Sequence, residues 1–376
     1  MNIEPNKKVI KELTRQQQLF TFNNSIECAM FTLINNSAEY INNIDPSLHE
    51  RAVGLFKENL EKTGKLSEDS ALLGALIFEQ FQVAGEKEVF PDYVMNEIVK
   101  DGKVFHRGYL EQNPYYANIH IDSVTHGGFK LDTDIYRKHE LDFYNCTAKK
   151  NGISIPQVCT YDYDFSYPKI TESGDVWMSI SPNEIFTMQK PVSHAHGKVL
   201  TLGCGLGYFA YMVSLKPNVE SVTIIESSSE VIRLFEEVIL PQFTHKEKIQ
   251  IVHADAFRYM EELEDGLFHF CFADIWQGAD DCIPYLILKK ICRKFKKMKM
   301  SYWVESGIIN YLTASIMMLL MESLYSRTGV PNMEIPIPKK ERERIRILDE
   351  ALSDVVIKSE NDVKNILDPK HISKIL

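Results

Sequence analysis

Three glycines, Gly203, Gly205 and Gly207, separate the apolar run Val199-Leu200-Thr201-Leu202 from the helical stretch Tyr208-Phe209-Ala210-Tyr211-Met212. A glycine turn between a strand and a helix lets backbone approach a ligand without a Cβ in the way. The helix start adds free N–H donors for an anionic or polar group. The next apolar run, Val222 to Ile225, ends on Glu226, about 20 residues past the turn, where a carboxylate can accept hydrogen bonds from both hydroxyls of an adenosine ribose. Two further runs, Ile251-Val252-His253 and Phe270-Cys271-Phe272-Ala273, lead into Asp255 with Ala256 and into Asp274. Singly, each acid reads at least as well as a helix amino-terminal cap. As an ordered set they point to a nucleotide site along one sheet edge. A nicotinamide-dinucleotide fingerprint fits less well, because Tyr208 stands where the later glycine of Gly-x-Gly-x-x-Gly belongs.

Residues so spaced need a parallel sheet to bring them together. Short apolar runs at Lys198 to Leu202, Ser221 to Ile225, Ile249 to His253, Phe268 to Ala273 and Ser301 to Glu305 alternate with helical stretches. This alternation predicts an α/β fold with a doubly wound, mainly parallel, Rossmann-like sheet, whose ligands sit outside the carboxyl ends of the strands. Before it, apolar residues recur at helical spacing, for example Leu13, Phe20, Phe22, Leu60, Leu66, Leu72, Leu73 and Leu76. From Ile119 to Ile180 the pattern turns extended. Tyr161-Asp162-Tyr163-Asp164-Phe165 alternates, and Gly174-Asp175 precedes Val176-Trp177-Met178 like the turn of a hairpin. The expected organisation is a helical domain over 1–118, a β region over 119–180, the nucleotide-binding domain over 181–330 and a helical tail over 331–376.

Over residues 180 to 310 the chain resembles the class I S-adenosylmethionine-dependent methyltransferases. The resemblance implies S-adenosyl-L-methionine as cofactor, with Gly203, Gly205 and Gly207 along its methionine portion, Glu226 at the ribose, and Cys204 and Ser227 also among the cofactor-binding residues. Asp255 and Ala256 would then address the adenine edge, and Asp274 would lie beside the transferred group. Within that superfamily, Asn183-Glu184-Ile185-Phe186-Thr187-Met188-Gln189 is similar to the spermidine synthase (polyamine aminopropyltransferase) branch. The chain departs from that branch at Leu206, where an Asp is usual, at Thr187 and Met188, and in Asp274-Ile275-Trp276-Gln277-Gly278. The leading expectation is methylation of a small-molecule acceptor. The alternatives are aminopropyl or aminocarboxypropyl transfer, for which an acidic acceptor pocket would speak, and a SAM-binding regulatory protein without turnover. A sulfonium donor is already activated, so alignment and exclusion of water do most of the work. Asp274 is the expected proton acceptor, with Glu184 and Tyr163 or Tyr161 positioning the acceptor. Tyr161, Tyr163 and Trp276 together read either as an aromatic wall for a cation or as plain core.

At 376 residues, with a net charge of -10 and pI near 5.6, the chain can bury a large core and lacks the basic balance of a nonspecific nucleic-acid or membrane-surface binder. The seven cysteines form no C-x-x-C pair, so neither a zinc site nor a disulfide framework is expected, and a reducing, cytoplasmic location is. His194 and His196 lack further ligands to make a metal site. The basic run Lys289 to Lys299 and the mixed cluster Lys339 to Arg344 read as solvated helix faces. The apolar stretch Ser306 to Met321 is short for a membrane span and reads as a buried helix, and Ile316 to Leu320 leaves room for a homodimer contact.

Overall fold

A computed structural model describes residues 1–63, 67–84, 91–328 and 339–375. Leu66 and the start of the tail, 331–338, lie outside the described residues. The chain is a mixed α/β protein that divides into two compact units. One comprises Met1–Asn24, Trp276–Arg293 and Val304–Leu376; the other comprises Ser25–Ile275 and Lys294–Trp303. These boundaries cut across the four consecutive segments expected from the sequence, because distant stretches cluster together.

The smaller unit carries a two-stranded parallel pair, Asn2–Ile3 with Val356–Ile357, and the larger unit the principal sheets. The strands of its two principal sheets are numbered here in chain order: β1 Val124–His126, β2 Phe129–Tyr136, β3 Phe165–Glu172, β4 Asp175–Ser179, β5 Gly197–Leu202, β6 Val219–Glu226, β7 Ile249–His253, β8 Phe270–Ala273 and β9 Lys299–Tyr302. The first four form an antiparallel sheet in the order β4-β3-β2-β1, and the other five a wholly parallel sheet in the order β7-β6-β5-β8-β9. β5, β6 and β8 are buried almost end to end, as strands covered on both faces must be, and this is why they read as continuous apolar runs. Strand order reverses between β5 and β8, so whatever follows those two strands flanks the crevice where such sheets hold ligands.

Four helices matter to this edge: α1 Pro114–Asn118, α2 Pro182–His194, α3 Tyr208–Ser214 and α4 Ala256–Glu262. Ser181 caps α2 by accepting the Glu184 N–H, with Pro182 in the first turn, as the Ser-Pro-Asn-Glu run predicts. α3 packs on the sheet through Phe209, whose ring lies 4.4 Å from that of Phe272.

Two elements differ from the sequence reading. The fifth parallel strand is Lys299–Tyr302, not Ser301 to Glu305: the chain turns at Trp303 and Val304, the latter at φ +44°, and a helix begins at Glu305. The alternating stretch Tyr161 to Phe165 is no single strand. It is the end of a short strand, Val158–Tyr161, then a loop, then the start of β3.

In the smaller unit the helix Glu305–Thr328 outruns the uncharged stretch, and its segment Glu305–Ser326 is long and apolar enough to cross a membrane, with half of the apolar window buried within the structure. The helix Lys339–Ala351 is not a purely solvated face, since Arg344 turns inward, donates from Nε to Ser315 Oγ at 2.7 Å and is only 7% exposed. Lys289 is likewise drawn in, to Glu305 at 2.6 Å.

Candidate active site

The glycine turn follows β5 at the middle of the parallel sheet. Gly203 donates its N–H to Ile225 O of β6, and Asp274 donates its N–H to Leu202 O, so both residues are extensions of the sheet ladder. Gly203 sits at φ +95°, and a Cβ there would fall 2.2 Å from the Asp274 carbonyl oxygen. Only glycine permits this approach of β5 to β8. Gly207 ends the turn as the cap residue of α3.

Glu226, the last residue of β6, is only 6% exposed. Its Oε2 accepts the Cys204 N–H at 3.0 Å, and its Oε1 accepts the N–H groups of Ser227 and Ser228, each at 2.8 Å. A carboxylate offers about four lone-pair directions, so one remains, on Oε2, for a ribose hydroxyl. The residues are thus compatible with a nucleoside: Glu226 fastens the turn and keeps one acceptor direction for a hydroxyl. The Cys204 thiol, also buried, is pushed well above its ordinary pKa by burial and by Glu226, which keeps it protonated and inert.

Asp255 realises the plainer reading: it caps α4, accepting the Arg258 N–H on Oδ1 at 2.9 Å. Its other oxygen has no partner among the described residues and is available to an amino group. Ala256, the first residue of α4, is buried beneath it.

Beyond β8 the chemistry changes. Asp274 and Glu184 interact electrostatically across the crevice end, and neither side chain makes a hydrogen bond or ion pair among the described residues. Glu184 stands in the first turn of α2, at the place from which a glutamate can reach back to the N–H of its cap residue, yet it makes no such bond. Both carboxylates keep some accessible surface, but protein encloses them. Burial raises the Asp274 carboxyl to about 7, and burial together with the Asp274 charge pushes Glu184 well above the usual range. Such a pair holds about one shared proton near neutrality and titrates as a unit.

Tyr163 is committed elsewhere. Its hydroxyl donates to Glu111 Oε2 at 2.8 Å and the Arg107 guanidinium lies over its ring at 5.3 Å; no bond links it to Glu184 or Asp274. Tyr161 is core, stacked on Tyr136 at 4.9 Å and fully buried, and Trp276 packs edge-on against Tyr285 within the smaller unit.

Several residues that position the site were not singled out from the sequence. The Tyr115 hydroxyl donates to the Leu206 carbonyl at 2.5 Å, Asn113 Nδ2 donates to the Tyr208 hydroxyl at 3.0 Å, and the Tyr116 hydroxyl donates to the Ile180 carbonyl. Together they clamp α1 onto the glycine turn and onto the chain entering α2. Asn113-Pro114 does carry a signal of its own, a cap followed by proline, but it marks a helix start and not what the helix touches. Trp303 Nε1, just past β9, fixes α2 by donating to Thr187 Oγ1 at 3.0 Å. A cavity of 210 Å³ opens beside α2, walled by Ile185, Phe186 and Gln189 from the helix and by Tyr109, Leu110, Gln112 and Asn113.

No protein-family model matches the chain, and no curated protein matches it. Among solved structures it is similar to the spermidine synthase of Thermotoga maritima, with 15% sequence identity and a TM-score of 0.30. That similarity covers 42% of this chain and 59% of that one, so the chain spans about three fifths of its length.

Proposed function

We propose that the chain is a transferase that moves an alkyl group from an S-adenosyl sulfonium donor to an amine nitrogen. The observation that carries this reading is the unpartnered carboxylate pair, Glu184 and Asp274, beside a glycine turn with a ribose-competent Glu226. Two enclosed carboxylates without a cation are costly unless a ligand brings one. A protonated amine does so.

The donor supplies an alkyl carbon whose bond to sulfur breaks with its electron pair going to sulfur, leaving a neutral thioether. The protein's part is positional and acid–base. Glu226 holds the nucleoside by a ribose hydroxyl, the second oxygen of Asp255 takes an amino hydrogen at the far end, and the glycine turn admits the ligand tail against backbone. The pair Glu184 and Asp274 holds the acceptor as an ammonium and takes its proton, freeing the nitrogen lone pair for in-line attack. A carboxyl poised at about 7 suits that task at neutral pH.

The transferred group is methyl in the leading reading. The same pair favours a second one, aminopropyl transfer, because two carboxylates can hold the acceptor ammonium and a second ammonium on the donor's own chain. Calorimetric titration with S-adenosylmethionine, its decarboxylated form and NAD, repeated on Glu226→Ala, tests the reading. Binding of the intact donor, lost in the variant, is expected for methyl transfer, and preference for the decarboxylated donor selects aminopropyl transfer. Binding of NAD alone overturns the proposal.

A further inference from the structure

The hairpin that precedes α2 carries a side chain the chemistry above leaves unused. Across β3 and β4, Val176 pairs with Thr171 and Met178 with Ile170, so Trp177 is an extra residue, a β-bulge. Directly opposed residues in an antiparallel pair lie on the same face of the sheet. The bulge thus transfers the inward place, beside the fully buried Ile170, from Trp177 to Met178. Trp177 turns instead to Phe129, with ring centres 5.6 Å apart.

The re-aimed Met178 ends on the middle of the glycine turn. A Cβ built on Gly205 would fall 2.3 Å from Met178 Sδ and 2.4 Å from its Cε, so the thioether lies directly against this backbone. The neighbouring glycines are closed by less yielding groups, Gly203 by the Asp274 carbonyl and Gly207 by the Phe235 ring. Gly205 alone of the three is covered by the far end of a flexible, polarizable side chain, which can swing away without moving backbone.

We infer that Met178 is a specificity-determining residue that occupies the seat over Gly205 required by the tail of a 5′-thio-substituted adenosine. The inference rests on the nucleoside reading of the site. A nucleoside whose sulfur bears only a methyl group fits beneath the resting thioether. One bearing an amino-acid tail along the turn must displace it, and its affinity is lowered by the cost of that displacement. Met178 thereby sets the balance between donors with long and short tails.

The test is calorimetric titration of the full chain, as wild type, Met178→Ala, Met178→Leu and Glu226→Ala, with S-adenosylmethionine and with 5′-methylthioadenosine. Met178→Ala is expected to tighten the long-tailed ligand about tenfold or more and to leave the short-tailed one within about twofold, while Met178→Leu, which keeps the volume, stays near wild type. Met178→Val serves the same purpose should the alanine variant fail to fold. Equal changes for both ligands, or none, with binding still dependent on Glu226, overturn the role of Met178 and leave the nucleoside site standing. Absence of binding by wild type and Met178→Ala alike overturns both.

Discussion

Two carboxylate sites share the carboxyl edge of the parallel sheet and are built in opposite ways. Glu226 is held from the protein side, with three backbone N–H groups on two oxygens and one direction left on Oε2. Asp274 and Glu184 interact with each other, with no N–H group on either side chain among the described residues. The first arrangement makes the acid part of the fold, because removing it strands donors that nothing else satisfies. The second stores unfavourable electrostatic energy that a cation relieves. The same residue type thus serves architecture on one side of β5 and, in the proposed function, ligand chemistry on the other.

The sharpest break between the two sites is expected in turnover. Asp274→Asn or Glu184→Gln should lower the rate by roughly 100- to 10,000-fold, the range of a lost general base, while nucleoside affinity measured by calorimetry stays within about threefold. Wild-type activity should rise with pH through about 7 as the pair gives up the first of its two protons. In Asp274→Asn the Glu184 carboxyl should titrate lower than it does beside Asp274, since it no longer faces a like charge, while burial still holds it above the usual range.

Gly203→Ala severs the connection between the sites, since its new methyl group meets the Asp274 carbonyl. Chemical denaturation should register a loss of roughly 3 kcal/mol or more. Glu226→Ala should cost about 1 to 3 kcal/mol of stability together with nucleoside binding, because the Cys204, Ser227 and Ser228 donors lose their acceptor.

The stability contribution of Asp274 should depend on pH. The Asp274 pKa is raised on folding, from 3.8 to about 7, so the native state holds a proton the unfolded chain has lost. That contribution is present below about pH 4 and disappears as pH rises through 7. At pH 8 Asp274→Asn should therefore be the more stable protein, by on the order of 2 kcal/mol in denaturant titration. Asp255→Ala should show the smallest change, about 1 kcal/mol for a lost cap.

The parallel sheet was legible because strands buried on both faces leave continuous apolar runs, and Glu226, Asp255 and Asp274 fall where the runs stop. The last strand was displaced because its apolar run continues through Trp303 and Val304, where the backbone turns with no glycine or proline to mark it. Glu184 could be singled out from the sequence, but not its interaction with Asp274, which depends on α2 and β8 meeting in space. Cross-strand register is equally hidden, so the bulge that re-aims Met178 has no trace in composition or periodicity. Tyr161 and Tyr163 share one alternating stretch but end in different places because the chain leaves its strand at Asp162.

The clamp formed by Asn113, Tyr115 and Tyr116 bears on how the molecule could be dissected. Their bonds reach the Tyr208 hydroxyl and the carbonyls of Leu206 and Ile180, so the parallel sheet borrows part of its scaffolding from a stretch some 80 residues upstream of β5. A fragment cut at the start of α2 would keep every strand of that sheet and still lose the struts beneath its glycine turn. The sheet is not a portable cassette, and a chimera grafting it onto another leader would have to carry the 113–116 segment with it.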